Sequence, residues 1–162
     1  MVHGRGFLDW DDLQMDTDYR AQRAYNQTKL ANLLFARELQ QRLERAGSRV
    51  QSMAVHPGVA QTAIGANRKQ LGAYRFGDHV VSAILKVVMP YLGQPAAEGA
   101  LPTMYAATSP DAQAGGFYGP QGRGEMKGPP GLARIKPPAQ DMAAAKRLWD
   151  VTEELTGTRF LL

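Results

Sequence analysis

The feature that most constrains this chain is a long amphipathic helix joined through a glycine turn to a short apolar strand. From Tyr19 to Ala46, Leu30, Leu34, Phe35, Leu39 and Leu43 recur at a helical spacing of four, while Arg37, Glu38, Gln41, Glu44 and Arg45 fill the other side. Asp18 is placed to cap the start and Gly47 to end it. Arg49 to His56 then reads as a strand, with Val50, Met53 and Val55 supplying bulk and Pro57-Gly58 stopping it. Helix, tight turn and buried strand in succession predict an α/β unit with a parallel sheet.

Further helices are expected from Phe76 to Leu92, from Pro95 to Thr108 and from Asp141 to Leu155, the last closed by Gly157. Phe117-Tyr118-Gly119 is at most a short strand, and the Gly/Pro-rich stretch from Gln121 to Pro138 reads as irregular loop. Met1 to about Asp18 reads as acidic loop with one helical turn. There is no internal repeat and no second domain. Two strands against about four helices is an unusual ratio, because a parallel sheet sets several strands side by side with both faces covered. The expectation is therefore one partial domain over residues 1–162, with its sheet completed by something outside it.

Composition narrows the function. At 44% hydrophobic and 21% charged residues the chain is ordinary globular protein. It has no cysteine, which excludes disulfide scaffolds and thiolate metal sites and fits a cytoplasmic protein. The net charge is +4, but the basic residues form no stripe, which argues against a nucleic-acid partner. No signal peptide is legible, and the most apolar run, Val80 to Leu92, is too short to span a bilayer and contains Lys86 and Pro90. His3, His56 and His79 lack metal-ligand spacing, and His56 reads as a strand-end residue packed against the turn that follows.

Tyr25 and Lys29 stand four apart on the long helix and so share a face. A cation beside a phenol favours the phenolate, and such a tyrosine can exchange a proton with a carbonyl/alcohol pair. The same spacing also suits a solvated surface pair. Pro57-Gly58 is equally a plain turn, and Thr62 equally a helix N-cap.

The run Ala24-Tyr25-Asn26-Gln27-Thr28-Lys29-Leu30-Ala31-Asn32, followed by Val55-His56-Pro57-Gly58-Val59 and Thr62, resembles the active-site helix and following strand of short-chain dehydrogenases/reductases. Glu98-Gly99-Ala100-Leu101-Pro102, Phe117-Tyr118-Gly119-Pro120 and the closing Leu148-Trp149 with Glu153-Glu154-Leu155-Thr156-Gly157 extend the likeness, the last toward retinol dehydrogenases. The resemblance implies the C-terminal part of a Rossmann-type doubly wound sheet that transfers hydride between NAD or NADP and a small apolar alcohol, aldehyde or ketone. The apolar segment Phe76 to Leu92 would line the substrate pocket. Tyr25 would be the general acid/base and Lys29 would hold the nicotinamide ribose. Pro57, Gly58, Val59 and Thr62 would meet the nicotinamide end. A homo-oligomer is possible on the same ground.

Two departures stand beside it. No Gly-rich phosphate turn opens a βα unit, and Gly119-Pro120-Gln121-Gly122-Arg123-Gly124 lies too late in the chain to be one. The family's serine would fall at or before Met1, with neither Thr17 nor Ser48 placed to replace it. The chain alone is therefore expected to be a fragment without the dinucleotide-binding half, binding dinucleotide weakly and inactive. The alternative is a non-catalytic interaction or dimerisation protein derived from that fold.

Overall fold

The computed structural model describes residues 2–60 and 93–160. Three α-helices, three strands and short 3₁₀ turns make up these residues: α1 (Ala21–Arg45), β1 (Ala54–Val55), α2 (Ala96–Thr108), β2 (Phe117–Pro120), β3 (Pro130–Leu132) and α3 (Met142–Thr156). The expected helix from Phe76 to Leu92 lies outside the described residues. Contacts divide the chain into two compact units, one of Met1–Ala54, Asp111–Phe117 and Arg134–Leu162, the other of Val55–Pro110 and Tyr118–Ala133.

In the first unit α1 packs against α3. Leu30, Leu33, Leu34 and Leu43 are buried on α1, as are Ala145, Leu148 and Trp149 on α3. The Trp149 ring stacks on Phe35 with centroids 5.2 Å apart and planes within 5°. The Arg42 guanidinium lies 4.4 Å from the Trp149 ring centre. Phe35 stays 45% exposed although the periodicity put it in the core. Its inner face meets Trp149 and its outer face meets solvent.

The helix ends show why α1 has its length. Asp18 does not cap it. That carboxylate pairs with the Arg20 side chain at 3.0 Å, and the helix starts after Arg20 without a side-chain cap. At the other end Gly47 adopts φ +61, donates to Glu44 O at 3.0 Å, and lets Ser48 N donate to Leu43 O at 2.9 Å. These two bonds form a Schellman closure, and left-handed φ is why glycine stands there. On α3 the Asp141 carboxylate accepts from Ala144 N at 2.9 Å, and Gly157 closes the helix at φ +63.

Glu38 reverses an expectation. The periodicity assigned it to the polar face, yet it is 1% exposed. Its carboxylate accepts from Arg42 Nε at 2.8 Å and Arg45 Nη2 at 3.3 Å, so the buried charge is paired from its own helix.

The strand expected over Arg49 to His56 shrinks to Ala54–Val55. Helix side chains take the backbone before it. Ser52 N donates to Gln40 Oε1 at 2.7 Å and the Ser52 hydroxyl to Ala36 O at 2.8 Å, so α1 takes these two groups, while Ser52 O accepts from Gly115 N at 2.9 Å. The sheet order is β1-β2-β3. Ala54 N donates to Gly116 O and His56 N to Tyr118 O, both at 2.9 Å, so β1 and β2 advance in the same direction. β2 and β3 are antiparallel, with Tyr118 opposite Leu132, Gly119 opposite Gly131 and Pro120 opposite Pro130. β3 lies inside the stretch read as irregular loop: its Pro-Gly sequence carries no strand signal, and its pairing is imposed by β2. The fold is α/β and has the character of part of a Rossmann-like sheet. No described helix is long and apolar enough to cross a membrane.

Beyond α3 the chain folds back, and Phe160 N donates to Glu153 Oε1 at 3.0 Å while Trp149 Nε1 donates to the same oxygen at 2.9 Å. The Phe160 amide first, then the Trp149 indole, holds the Glu153 carboxyl below the usual glutamate value. A lowered carboxyl pKa stabilises the docked tail above the ordinary glutamate pKa, and that contribution fades as pH falls through the lowered value. Trp149 fluorescence followed through acid titration should change in that window, and Glu153→Gln should flatten the step. Trp149→Ala should cost about 3–5 kcal/mol of unfolding free energy by denaturant melt.

Candidate active site

In the N-terminal part of α1, Tyr25, Thr28, Lys29 and Asn32 form an exposed stripe. Tyr25 is 50% exposed, and Lys29 Nζ lies 5.5 Å from its ring centre. The helix around them is held from its other side. Gln27, buried, accepts from Asp9 N at 3.4 Å and donates to Leu13 O at 2.8 Å, and Arg23 forms an ion pair with Asp9. These bonds tie the preceding loop to α1 without using the Tyr25 face. Gly6 allows the close approach of that loop, since a Cβ there would come within 2.9 Å of Leu30 Cβ.

The turn after β1 belongs to the second unit. Gly58 adopts φ +66, and a Cβ there would overlap the Met126 carbonyl. Glycine is therefore required on two grounds, backbone conformation and space. His56 lies on Gly119 of β2, where a Cβ would overlap the imidazole. Its Nδ1 accepts from Gly58 N at 3.2 Å, and its Nε2 faces Glu125 Oε2 at 3.5 Å. His56 thus packs against the turn, as the sequence suggests. Val59 N donates to Met126 O at 2.7 Å. The α2 helix closes over the turn through Gly99, where a Cβ would stand 2.9 Å from Ala60 Cβ.

Two residues that meet this turn gave no sequence signal. Gln94, 1% exposed, donates from Nε2 to Pro57 O at 2.9 Å, and Glu125 faces His56 from a left-handed backbone at φ +57. Both come from far along the chain, so no local spacing announces them.

Of the expected site residues, Tyr25 and Lys29 share one exposed face in the first unit, and Pro57, Gly58 and Val59 form one tight turn in the second. Thr62 lies outside the described residues. The exposed Tyr25 phenol and Lys29 ammonium on one face leave a proton donor and a cation open to a ligand. The pyrophosphate end of a dinucleotide has no counterpart among the described residues. Gly122 N donates to Lys127 O and Gln121 N to Pro129 O, both at 2.9 Å, so the late Gly-rich loop spends these amides on its own hairpin. No group of three or more metal-ligating side chains occurs among the described residues.

No family model matches the chain. It is 32% identical over 154 residues to a human protein named retinol dehydrogenase 14, covering 94% of this chain and 40% of that protein. It is 34% identical to human retinol dehydrogenase 13, with 97% of this chain and 44% of that protein covered. A Colletotrichum higginsianum protein named as a short chain dehydrogenase/reductase is 33% identical, over 88% of this chain and 31% of that protein. A crystal structure of an uncharacterized protein from Mycobacterium paratuberculosis superposes with a TM-score of 0.72 and 32% identity, over 100% of this chain and 49% of that one. The chain thus spans less than half the length of each.

Gly58→Ala should destabilise the second unit by roughly 1–3 kcal/mol, since alanine must hold left-handed φ and displace the Met126 carbonyl. A denaturant melt of the variant against the parent reads this directly.

Proposed function

We propose, for a chain whose homologues are retinol dehydrogenases and other short-chain dehydrogenases/reductases, that it is the catalytic part of an NAD(P)-dependent oxidoreductase acting on an apolar alcohol, aldehyde or ketone. The observation that carries this is the Tyr25–Lys29 pair, side by side on the open face of α1.

The bound nicotinamide would supply or accept the hydride at the substrate carbon. In reduction the Tyr25 phenol gives its proton to the carbonyl oxygen as that oxygen gains charge, and in oxidation the phenolate takes the proton back. The Lys29 ammonium, held beside the ring, stabilises the phenolate and donates to the ribose. The turn Pro57–Val59, together with Thr62, orients the nicotinamide end. Hydride transfer needs its donor and acceptor carbons held in register, and a turn stiffened by glycine geometry and four hydrogen bonds is suited to that. Ligands of open α/β sheets lie beyond the carboxyl ends of strands, which is where Pro57 follows β1.

The pyrophosphate would sit on a Gly-rich helix N-terminus in a dinucleotide-binding half not contained in these 162 residues. The chain by itself should therefore bind NADH and NADPH only weakly. Titration calorimetry checks this, and micromolar binding would contradict the division of labour. Joined to such a half, the enzyme should reduce apolar carbonyls, and Tyr25→Phe should lower kcat by roughly 10²–10⁴-fold. A Tyr25→Phe enzyme with parental turnover would remove the tyrosine from the mechanism.

A further inference from the structure

The turn proposed to orient nicotinamide is gripped by one buried side chain. Gln94 donates from Nε2 to Pro57 O at 2.9 Å and accepts at Oε1 from Gly128 N at 3.1 Å. Its own backbone N–H donates to Val59 O at 2.9 Å, and it forms a parallel bridge with Ala60. With 1% of its surface exposed, the amide satisfies its donor and acceptor ends on two different loops. We propose that Gln94 is a positioning residue for hydride transfer, fixing the Pro57–Val59 turn against the loop at 126–128. This rests on the function proposed above.

The chemistry of the amide is what the position demands. Pro57 O needs a donor and Gly128 N needs an acceptor, and one primary amide supplies both at fixed separation. Methionine keeps the length and supplies neither. An ionised glutamate still accepts from Gly128 N but turns a negative oxygen toward Pro57 O. A protonated glutamate regains the donor. The two amides of the turn are already engaged, Gly58 N by His56 Nδ1 and Val59 N by Met126 O. Losing the Gln94 side chain therefore frees Pro57 O and Gly128 N, and leaves only the Gln94 backbone bond to Val59 O to hold the turn from that side.

The test compares parent, Gln94→Met and Gln94→Glu in the enzyme completed with its dinucleotide-binding half. Three quantities are read: the single-turnover rate of hydride transfer, the dissociation constant for NADH or NADPH, and hydrogen exchange at the Gly128 amide without cofactor. Gln94→Met should slow hydride transfer about 10–100-fold, because small misplacements of reacting groups have effects of that size. Dinucleotide affinity should change far less, and Gly128 should exchange faster. Gln94→Glu should be slow at neutral pH and recover toward the parent's own pH profile on acidification. A parental hydride-transfer rate in Gln94→Met overturns the proposal, as do equal losses in rate and affinity. If Gln94→Met does not fold, the glutamate variant decides, and absence of recovery on acidification overturns it. If the parent transfers no hydride with either dinucleotide, the proposed function fails and the positioning role with it. Faster Gly128 exchange in Gln94→Met would then still show that the clamp exists.

Discussion

The packing of α3 on α1 determines what the candidate helix can present. Trp149 meets both the Phe35 ring and the Arg42 guanidinium, two α1 residues on one side of the helix, and Leu30, Leu34 and Leu43 of α1 are buried. A helix rotated to bury that face has no freedom left in where Tyr25 and Lys29 point. A catalytic pair on a helix must be fixed in direction to within about 10–20°. Here that orientation is set by apolar burial elsewhere on α1 and by the Gln27 and Arg23 bonds to the preceding loop, not by bonds to the tyrosine itself. The pair is thus left with its polar atoms available.

The Pro57–Val59 turn follows the opposite rule. Four of its backbone polar atoms are engaged: Pro57 O by Gln94, Gly58 N by His56, Val59 N by Met126 and Val59 O by Gln94 again. A turn tied this way is stiff, and its contribution to a ligand lies in shape and in the second lone pairs of its carbonyls more than in amides waiting for a partner. The two glycines beside it, Gly99 and Gly119, make room for neighbours rather than for a ligand: Gly99 for Ala60 and Gly119 for the His56 ring.

The sequence made the local features legible and hid the distant ones. The 25 residues of α1, its Gly47 closure, the Asp141 cap and Gly157 stop of α3, and the Pro57-Gly58 turn all depend on residues a few positions apart. Periodicity and capping chemistry read such features well. Glu38 defeats a hydrophobic periodicity because its burial is offset by two arginines of the same helix, and a count of polar residues scores all three as solvated. Ahead of β1 the Gln40 side chain takes the Ser52 amide, a bond invisible in the apolar pattern around Val50 and Met53. β3 and Gln94 owe their roles to chain segments far away in sequence. Of the site, the motif-bearing residues were legible and their supports were not.

Exposure adds a last constraint on the chemistry. Tyr25 is half exposed, and a phenol in water transfers a proton in competition with solvent. Electrostatic help from Lys29 is also small while both groups face a high dielectric: unit charges 4 Å apart interact by about 1 kcal/mol in water and about 4 kcal/mol at an effective dielectric of 20. The Tyr25–Lys29 pair therefore gains most of its strength only when something covers it. A dinucleotide lying across the face would do so, with an apolar substrate excluding the remaining water. In the proposed reaction an apolar substrate would serve the mechanism as well as the specificity, since a hydrated polar one would keep the pair in the dielectric that weakens it. The proposed ligands would thus switch on the electrostatics of the face that holds Tyr25 and Lys29.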